Sequence, residues 1–189
     1  MTDDGAASQS HISEMIDIVN DDDVVIGSMP RAQAYAENHR KRIVYVFVID
    51  PETHHIGLAV RGKNVSWRPL HYTATVGGHV MAGETADMAA MREMYEEIGI
   101  DRPVILLDKQ CASDPTNDQR FIDYIYVTCA AAEDLRLDPV EVERVEFMPL
   151  ADALKMLENS ETLCHPKLRE HLDALQDNQD IVDRVKLSI

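Results

Sequence analysis

Cations are scarce in this 189-residue chain, with 18 Lys and Arg against 34 Asp and Glu and a formal net charge of −16. An anionic excess of that size repels phosphate backbones and argues against duplex nucleic acid as a partner. Aromatic residues make up only 5%, and Trp67 is the single tryptophan. Cysteine is confined to Cys111, Cys129 and Cys164, too far apart for the short ligand spacings of a zinc site. An odd, scattered set without an export pattern reads as reduced thiols of a cytoplasmic protein, acting as small buried hydrophobes. No apolar run nears the ~20 residues that a membrane-crossing helix requires, so no membrane association is expected. Repeats and low-complexity tracts are absent too. What remains is an ordinary globular balance, 45% apolar and 28% charged, in a length that suits one domain. Residues 1–14 read as a tail, 15–175 as one domain, and 176–189 as a second tail or a helical extension.

Local pattern divides the domain into strands and helices. Residues 20–23, Asn-Asp-Asp-Asp, form a solvated turn before Val24-Val25-Ile26. Residues 30–40 read as a helix opened by Ser28, with proline in its first turn and basic residues 39–42 at its C-terminal end. Residues 43–49 are apolar and β-branched, as in a central strand, and 56–61 return as a hairpin partner across a turn at 50–55. The fourteen residues 62–75 read as a loop long enough to be functional; they hold Trp67, Arg68 and Tyr72. Further strands are expected at 104–107, 121–128 and 142–148, and helices at 150–157 and 166–175. Mixed strands and helices in this order indicate one α/β sandwich.

The helix at residues 84–98, stopped by Gly99, carries the chemistry. At about 100° per residue, with Glu93 at zero, Glu97 lies near +40° and Glu96 near −60°. Ala86, Ala89 and Ala90 fall in or beside this arc, where their small side chains leave room for a ligand. Met91, Met94 and Ile98 share another side, as a stripe that packs on a sheet. Like charges at such spacings repel by roughly 0.2–0.5 kcal/mol each, and Arg92 is the only cation to relieve them. A hard dication, Mg²⁺ or Mn²⁺, reverses the sign of that repulsion and suits oxygen-only ligands. Before the helix, Val76-Gly77-Gly78-His79 permits close backbone approach to a ligand.

Glycine loop, acids and arginine share one spacing: Gly78, five residues, Glu84, seven residues, then Arg92-Glu93-Met94-Tyr95-Glu96-Glu97-Ile98-Gly99-Ile100. This stretch resembles the Nudix box, Gly-x5-Glu-x7-Arg-Glu-U-x-Glu-Glu-x-Gly-U, at every specified position, with Met94 and Ile100 at the apolar U positions. The flanks, Met29-Pro30-Arg31 and the strand Val44-Tyr45-Val46-Phe47-Val48-Ile49, resemble the branch of that superfamily containing isopentenyl diphosphate isomerase.

The resemblance implies an α/β/α sandwich with a mixed sheet, and Mg²⁺- or Mn²⁺-dependent hydrolysis of a small-molecule diphosphate by water attack at phosphorus. By position, Glu93, Glu96 and Glu97 match the family's metal-binding acids, Glu93 also as a candidate to orient or deprotonate water. Gly78 matches the glycine whose carbonyl reaches a metal, and Arg92 and Glu84 the pair that props loop and helix. Glu141, in Pro139-Val140-Glu141-Val142, stands where many members carry a further acid. Pro115, fifteen residues after Ile100, stands at an offset associated with ADP-ribose. Trp67, Tyr72 and His79 are candidates for the leaving-moiety pocket, and the family also forms homodimers. Two alternatives follow from the same resemblance. One is an isomerase, although residues 73–78 lack the cysteine which that chemistry uses. The other is a non-catalytic ligand-sensing module, which usually has a damaged box.

Overall fold

The computed structural model describes residues 14–186. Its centre is the strand β3 (Lys41–Ile49), whose apolar run is buried on both faces. Alternation splits it: Ile43, Tyr45, Phe47 and Ile49 enter one core, while Val44, Val46 and Val48 enter the other. A strand covered on both sides has no use for polar alternation, which is why its sequence reads as an unbroken apolar run.

Around β3 the sheet is mixed. β8 (Arg120–Cys129) pairs with it in parallel, and β7 (Ile105–Ser113) pairs antiparallel with β8 at the edge. On the other side β3 and β4 (Ile56–Arg61) touch only at Ile49 and Ile56, then diverge. Into the wedge runs a nearly continuous strand. Its first part, β5 (Tyr72–Ala74), pairs with β4, and its second, β6 (Val76–His79), pairs with β3. Thr75 sits at the switch: its hydroxyl donates to the Gly57 carbonyl at 2.5 Å and accepts from the Val48 amide at 2.9 Å. One buried side chain thus satisfies backbone groups that the diverging strands leave open. β9 (Val142–Met148) closes the far edge against β4.

The helix α2 (Ala86–Ile98) covers the face of Val44, Val46 and Val48. The opposite face is covered by α3 (Leu150–Met156), α4 (Leu168–Asp177) and α5 (Gln179–Lys186). A two-stranded sheet, β1 (Met15–Val19) with β2 (Val25–Pro30), and the short helix α1 (Arg31–Ala36) pack a small third core around Ile16, Ile18 and Ala34. The architecture is the expected α/β sandwich.

Several local expectations are corrected. The helix expected at 30–40 is one and a half turns long, begins after Pro30 rather than at Ser28, and ends before the basic residues. Those cations serve the tertiary structure instead: Arg40 and Arg42 pair with Asp21 and Asp23, and the Lys41 amine lies over the Tyr35 and Phe121 rings. Asp23 is accordingly not solvated, since Arg42, Lys109 and the Tyr124 hydroxyl surround it. The expected loop 62–75 ends three residues early in β5, and the segment after 176 is helical as far as Lys186. Cys129 is buried, whereas Cys111 is exposed and Cys164 half-buried; among the described residues none of them forms a disulfide. Among the described residues, no helix is long and apolar enough to cross a membrane. The tail expected at 1–14 lies outside the described residues except for Glu14, which is partly buried and holds Arg31 at 2.9 Å.

Candidate active site

The site is assembled where α2 lies against β6. Thr85 caps the helix, its hydroxyl accepting from the Met88 amide at 3.2 Å. Ala89, Ala90, Met94 and Ile98 are the buried residues of α2. The alanines therefore do not leave space for a ligand, and Met91 is not part of the packing stripe but solvent-exposed. Small side chains at 89 and 90 let the helix axis approach the sheet closely. The approach places Glu93 and Glu97 at the boundary of the buried face rather than on an outer one.

Gly78 is the counterpart. A Cβ there would overlap the Glu93 carboxyl group, so glycine is the residue that lets this acid lie flat on the β6 backbone. Glu97 accepts from the Gly77 amide. Both acids thus point at the glycine pair from successive turns of one helix.

Arg92 ties loop to helix. Its Nε and Nη2 bind the two Glu84 oxygens, each at 3.0 Å, and Nη2 also donates to the His79 carbonyl. Glu84 in turn accepts from the Met81 amide at 3.0 Å. A bidentate guanidinium–carboxylate pair fixes orientation as well as distance, so residues 79–84 are held to the helix. The remaining nitrogen, Nη1, contacts Glu93 at 2.8 Å and Glu96 at 3.0 Å. Glu96 is the exposed member of the three acids.

A fourth acid arrives from a distant part of the chain. Residues 136–141 run past the helix end, with Arg136 and Asp138 amides donating to the Ile98 and Glu97 carbonyls at 2.8 Å each. The Gly62 amide donates to the Glu141 carbonyl at 2.7 Å, and a Cβ on Gly62 would collide with the Val140 backbone. Glu141 is thereby brought within electrostatic reach of Glu97.

These acids resist ionising together. Burial pushes the Glu93 carboxyl up to about 7; Arg92 opposes this, while Glu96 and Glu14 add to it. Glu97 stands well above the usual carboxylate range through burial first, then the charges of Glu93 and Glu141, with Arg61 opposing. Among the described residues no three His, Cys, Asp or Glu side chains form a ready ligand set, because Arg92 holds Glu93 and Glu96. The donor chemistry nevertheless fits a hard dication: oxygen ligands only, mutually repelling, partly buried apart from Glu96, and beside an open glycine backbone.

Of the three candidate pocket residues, Trp67 and Tyr72 both touch His165, through its ring and its amide. Trp67 lies at the rim, 37% exposed, with its ring 5.2 Å from His165. Tyr72 is on β5 and donates to Glu146 at 2.9 Å. His79 is buried, and its ring is engaged by the Tyr35 hydroxyl at 2.8 Å. Pro115 lies in a turn closed by the Asp114 carboxylate, and Thr116 of that turn meets Arg68 at 3.3 Å.

Sequence reading missed Glu14 and Arg61, which act on Glu93 and Glu97 from β-strand ends with no spacing signal. It also missed a buried polar group on the other sheet face. There the Lys167 amine pairs with Asp123, and His171 Nε2 lies 3.3 Å from the same carboxylate.

The NUDIX domain family model matches residues 39–168, spanning the box, the sheet and Glu141. The chain belongs to the Nudix hydrolase family. A 90-residue stretch is 41% identical to an uncharacterized Nudix hydrolase of Streptomyces coelicolor, covering 48% of this chain and 49% of that one. The isopentenyl-diphosphate Delta-isomerase of Cutibacterium acnes is 25% identical over 174 residues, 86% of this chain and 87% of the other. This Nudix chain spans about half the length, or less, of the first curated relatives it matches. Among solved structures, DR0079 from Deinococcus radiodurans superposes with a TM-score of 0.69 at 22% identity, over 85% of this chain and 98% of that one. The NUDIX domain of Shewanella oneidensis NrtR, complexed with ADP ribose, gives 0.58 at 14%, over 80% and 99%. At these identities the structural likeness speaks for the Nudix fold alone.

Proposed function

We propose that this Nudix protein hydrolyses the diphosphate linkage of a small molecule, a nucleoside diphosphate derivative or a similar compound, with Mg²⁺ or Mn²⁺. The observation that carries the reading is the contact of Glu93 with Gly78, with Glu97 on the adjacent Gly77 amide. This arrangement presents two partly buried carboxylates and a bare backbone to one point.

Glu93, Glu96, Glu97, Glu141 and the Gly78 carbonyl would hold the cation. When bound, a dication at such a site lowers the pKa of coordinated water and neutralises charge that develops on the phosphates. Glu93, lying on the open Gly78 backbone, is our candidate to orient the attacking water or accept its proton. Arg92 and Glu84 keep the loop at 79–84 from moving as charge changes on Glu93. Arg61 opposes the excess negative charge around Glu97. The chain's formal charge of −16 favours a substrate that arrives already complexed with metal. Three free thiols suit a reducing, cytoplasmic setting.

The isomerase relative keeps a second reading in view, but residues 73–78 contain no cysteine, and Thr75 of that strand is committed to Val48 and Gly57. A complete box speaks against the sensing module. The test is phosphate release from nucleoside diphosphate derivatives, dinucleoside polyphosphates and prenyl diphosphates with each metal. Glu97→Gln should remain folded and lose two orders of magnitude or more in turnover, as expected for an interaction of roughly 3 kcal/mol with the transition state. Near-native turnover of that variant at saturating Mg²⁺ would overturn the assignment. Conversion of isopentenyl diphosphate to its isomer would favour the second reading.

A further inference from the structure

In a chain so rich in acids, a concentration of cations beside the metal-site residues calls for explanation. Arg61 ends β4, next to the glycine that holds Glu141, and its charge reaches Glu97. Its Nε donates to the Trp67 carbonyl at 3.1 Å, and its guanidinium carbon lies 5.8 Å from the Trp67 ring centre. Arg68 lies 5.1 Å from the same ring. One indole, partly open to solvent, is thus flanked by two guanidinium groups.

The side-chain hydrogen bonds of these two arginines go to a backbone carbonyl and a neutral hydroxyl, at Trp67 and Thr116. Arg68 uses one nitrogen on the neutral Thr116 hydroxyl, while its Nε is buried with no acceptor. An unpaired guanidinium donor is costly to keep in place. Acids outnumber bases almost two to one in this chain, 34 against 18. Behind the indole, the imidazole of His165 is pushed down to about 2, by burial first and then by His171, Lys167, Arg61 and Arg68. Arg61 acts on Glu97, whereas Lys167 neutralises Asp123 and the Asp114 carboxylate closes its own turn.

We infer that the substrate's moiety beyond the diphosphate bears a second anionic group, a phosphate or a carboxylate, which Arg61 and Arg68 bind at the edge of Trp67. Arg61 connects the two halves of the site: it acts on Glu97 on one side and on the indole on the other. Guanidinium groups suit both oxyanions through paired N–H donors, and the indole offers a face for whatever planar group carries the charge. The inference rests on the diphosphate-hydrolysis reading and narrows it.

Two substrate pairs that differ in a single charged group test it, each assayed with Mg²⁺: NADPH against NADH for a phosphate, and UDP-glucuronate against UDP-glucose for a carboxylate. At least one anionic member should show a kcat/KM ten or more times that of its partner, and the pair that responds identifies the oxyanion. Arg68→Gln should raise KM for the favoured anionic member about tenfold more than for its uncharged partner, and Arg68→Lys should restore most of the difference. Thermal melts confirm that each variant is folded. Hydrolysis of both members of each pair with equal efficiency would overturn the second anionic group and leave the diphosphatase reading standing. No hydrolysis of any of the four compounds with either metal would count against both. An unchanged preference in folded Arg68→Gln would overturn the role of Arg68.

Discussion

Gly78 shows how much a single hydrogen can decide. Its Cα supports the Glu93 carboxyl group so closely that any side chain at 78 must push the acid away. Gly78→Ala should therefore leave most of the fold in place while displacing Glu93 by about an ångström or more, since its carboxylate would lie 2.0 Å from the new Cβ. Misplacement on that scale costs roughly a hundredfold in rate, so steady-state turnover should fall by about that factor with far-ultraviolet circular dichroism unchanged. Retained turnover would mean that the Glu93 position is not critical. Glu141 depends on Gly62 in a comparable way, but the contact there is backbone to backbone, and its effect on the site is indirect.

At the scale of elements, the site exists because β3 and β4 diverge and a third strand fills the gap. Thr75 marks the join, and its hydroxyl serves a donor and an acceptor that have few alternatives. Thr75→Val keeps the shape and removes both bonds. Each buried backbone group left unpaired costs about 1–3 kcal/mol, so urea denaturation should show a loss of roughly 2–4 kcal/mol. Because β6 continues from Thr75 to Gly78, the activity lost should exceed what the remaining folded fraction explains. A stability within 0.5 kcal/mol of the parent, the usual range for a neutral surface change, would show that the wedge is held by other contacts. The helix–sheet approach has the same logic, since only alanine at 89 and 90 allows α2 to carry its acids down to β6.

At the scale of the whole molecule, function opposes stability. The Glu93 carboxyl titrates near 7 in the folded chain, against 4.5 for an ordinary glutamate, and Glu97 is also raised. Between pH 4.5 and 7 the folded state therefore holds protons that the unfolded chain has released. The Glu93 contribution to stability is lost as pH rises through that window, by up to about 1.4 kcal/mol per pH unit, and Glu97 acts in the same direction. His165 and His171 act in the opposite sense. Both are depressed by burial, so the unfolded chain takes up protons below 6.5 and stability falls as pH drops. The two effects offset one another in the parent protein. In Glu93→Gln/Glu97→Gln only the histidine effect remains. With a chelator present, this variant should melt several degrees above the parent at pH 8, and its advantage should shrink steadily toward pH 5. An equal melting temperature at pH 8 would contradict the strain assigned to the two carboxylates.

The sequence by itself determined the family, through one spaced motif, and named the residues proposed for the chemistry. The spacing from Gly78 to Ile100, with Glu84, Arg92, Glu93, Glu96 and Glu97 between, is legible because it runs through one strand end, one turn and one helix, where geometry follows from residue number. The central strand and the edge strand at 142–148 are legible for the same reason: local period reports local burial. Tertiary structure alone decided which side of the helix is buried, because helical angles give relative directions but not the direction of the sheet. It also decided that His79 answers to Tyr35, that the cations at 40–42 brace the first hairpin, and that Glu14 and Arg61 stand near the acids. Each of these depends on contacts between residues far apart in the chain, for which sequence spacing carries no signal. Glu141 falls between the two cases: its position was legible by resemblance, but its approach to Glu97 comes from the fold, through Gly62 and the segment that caps the helix.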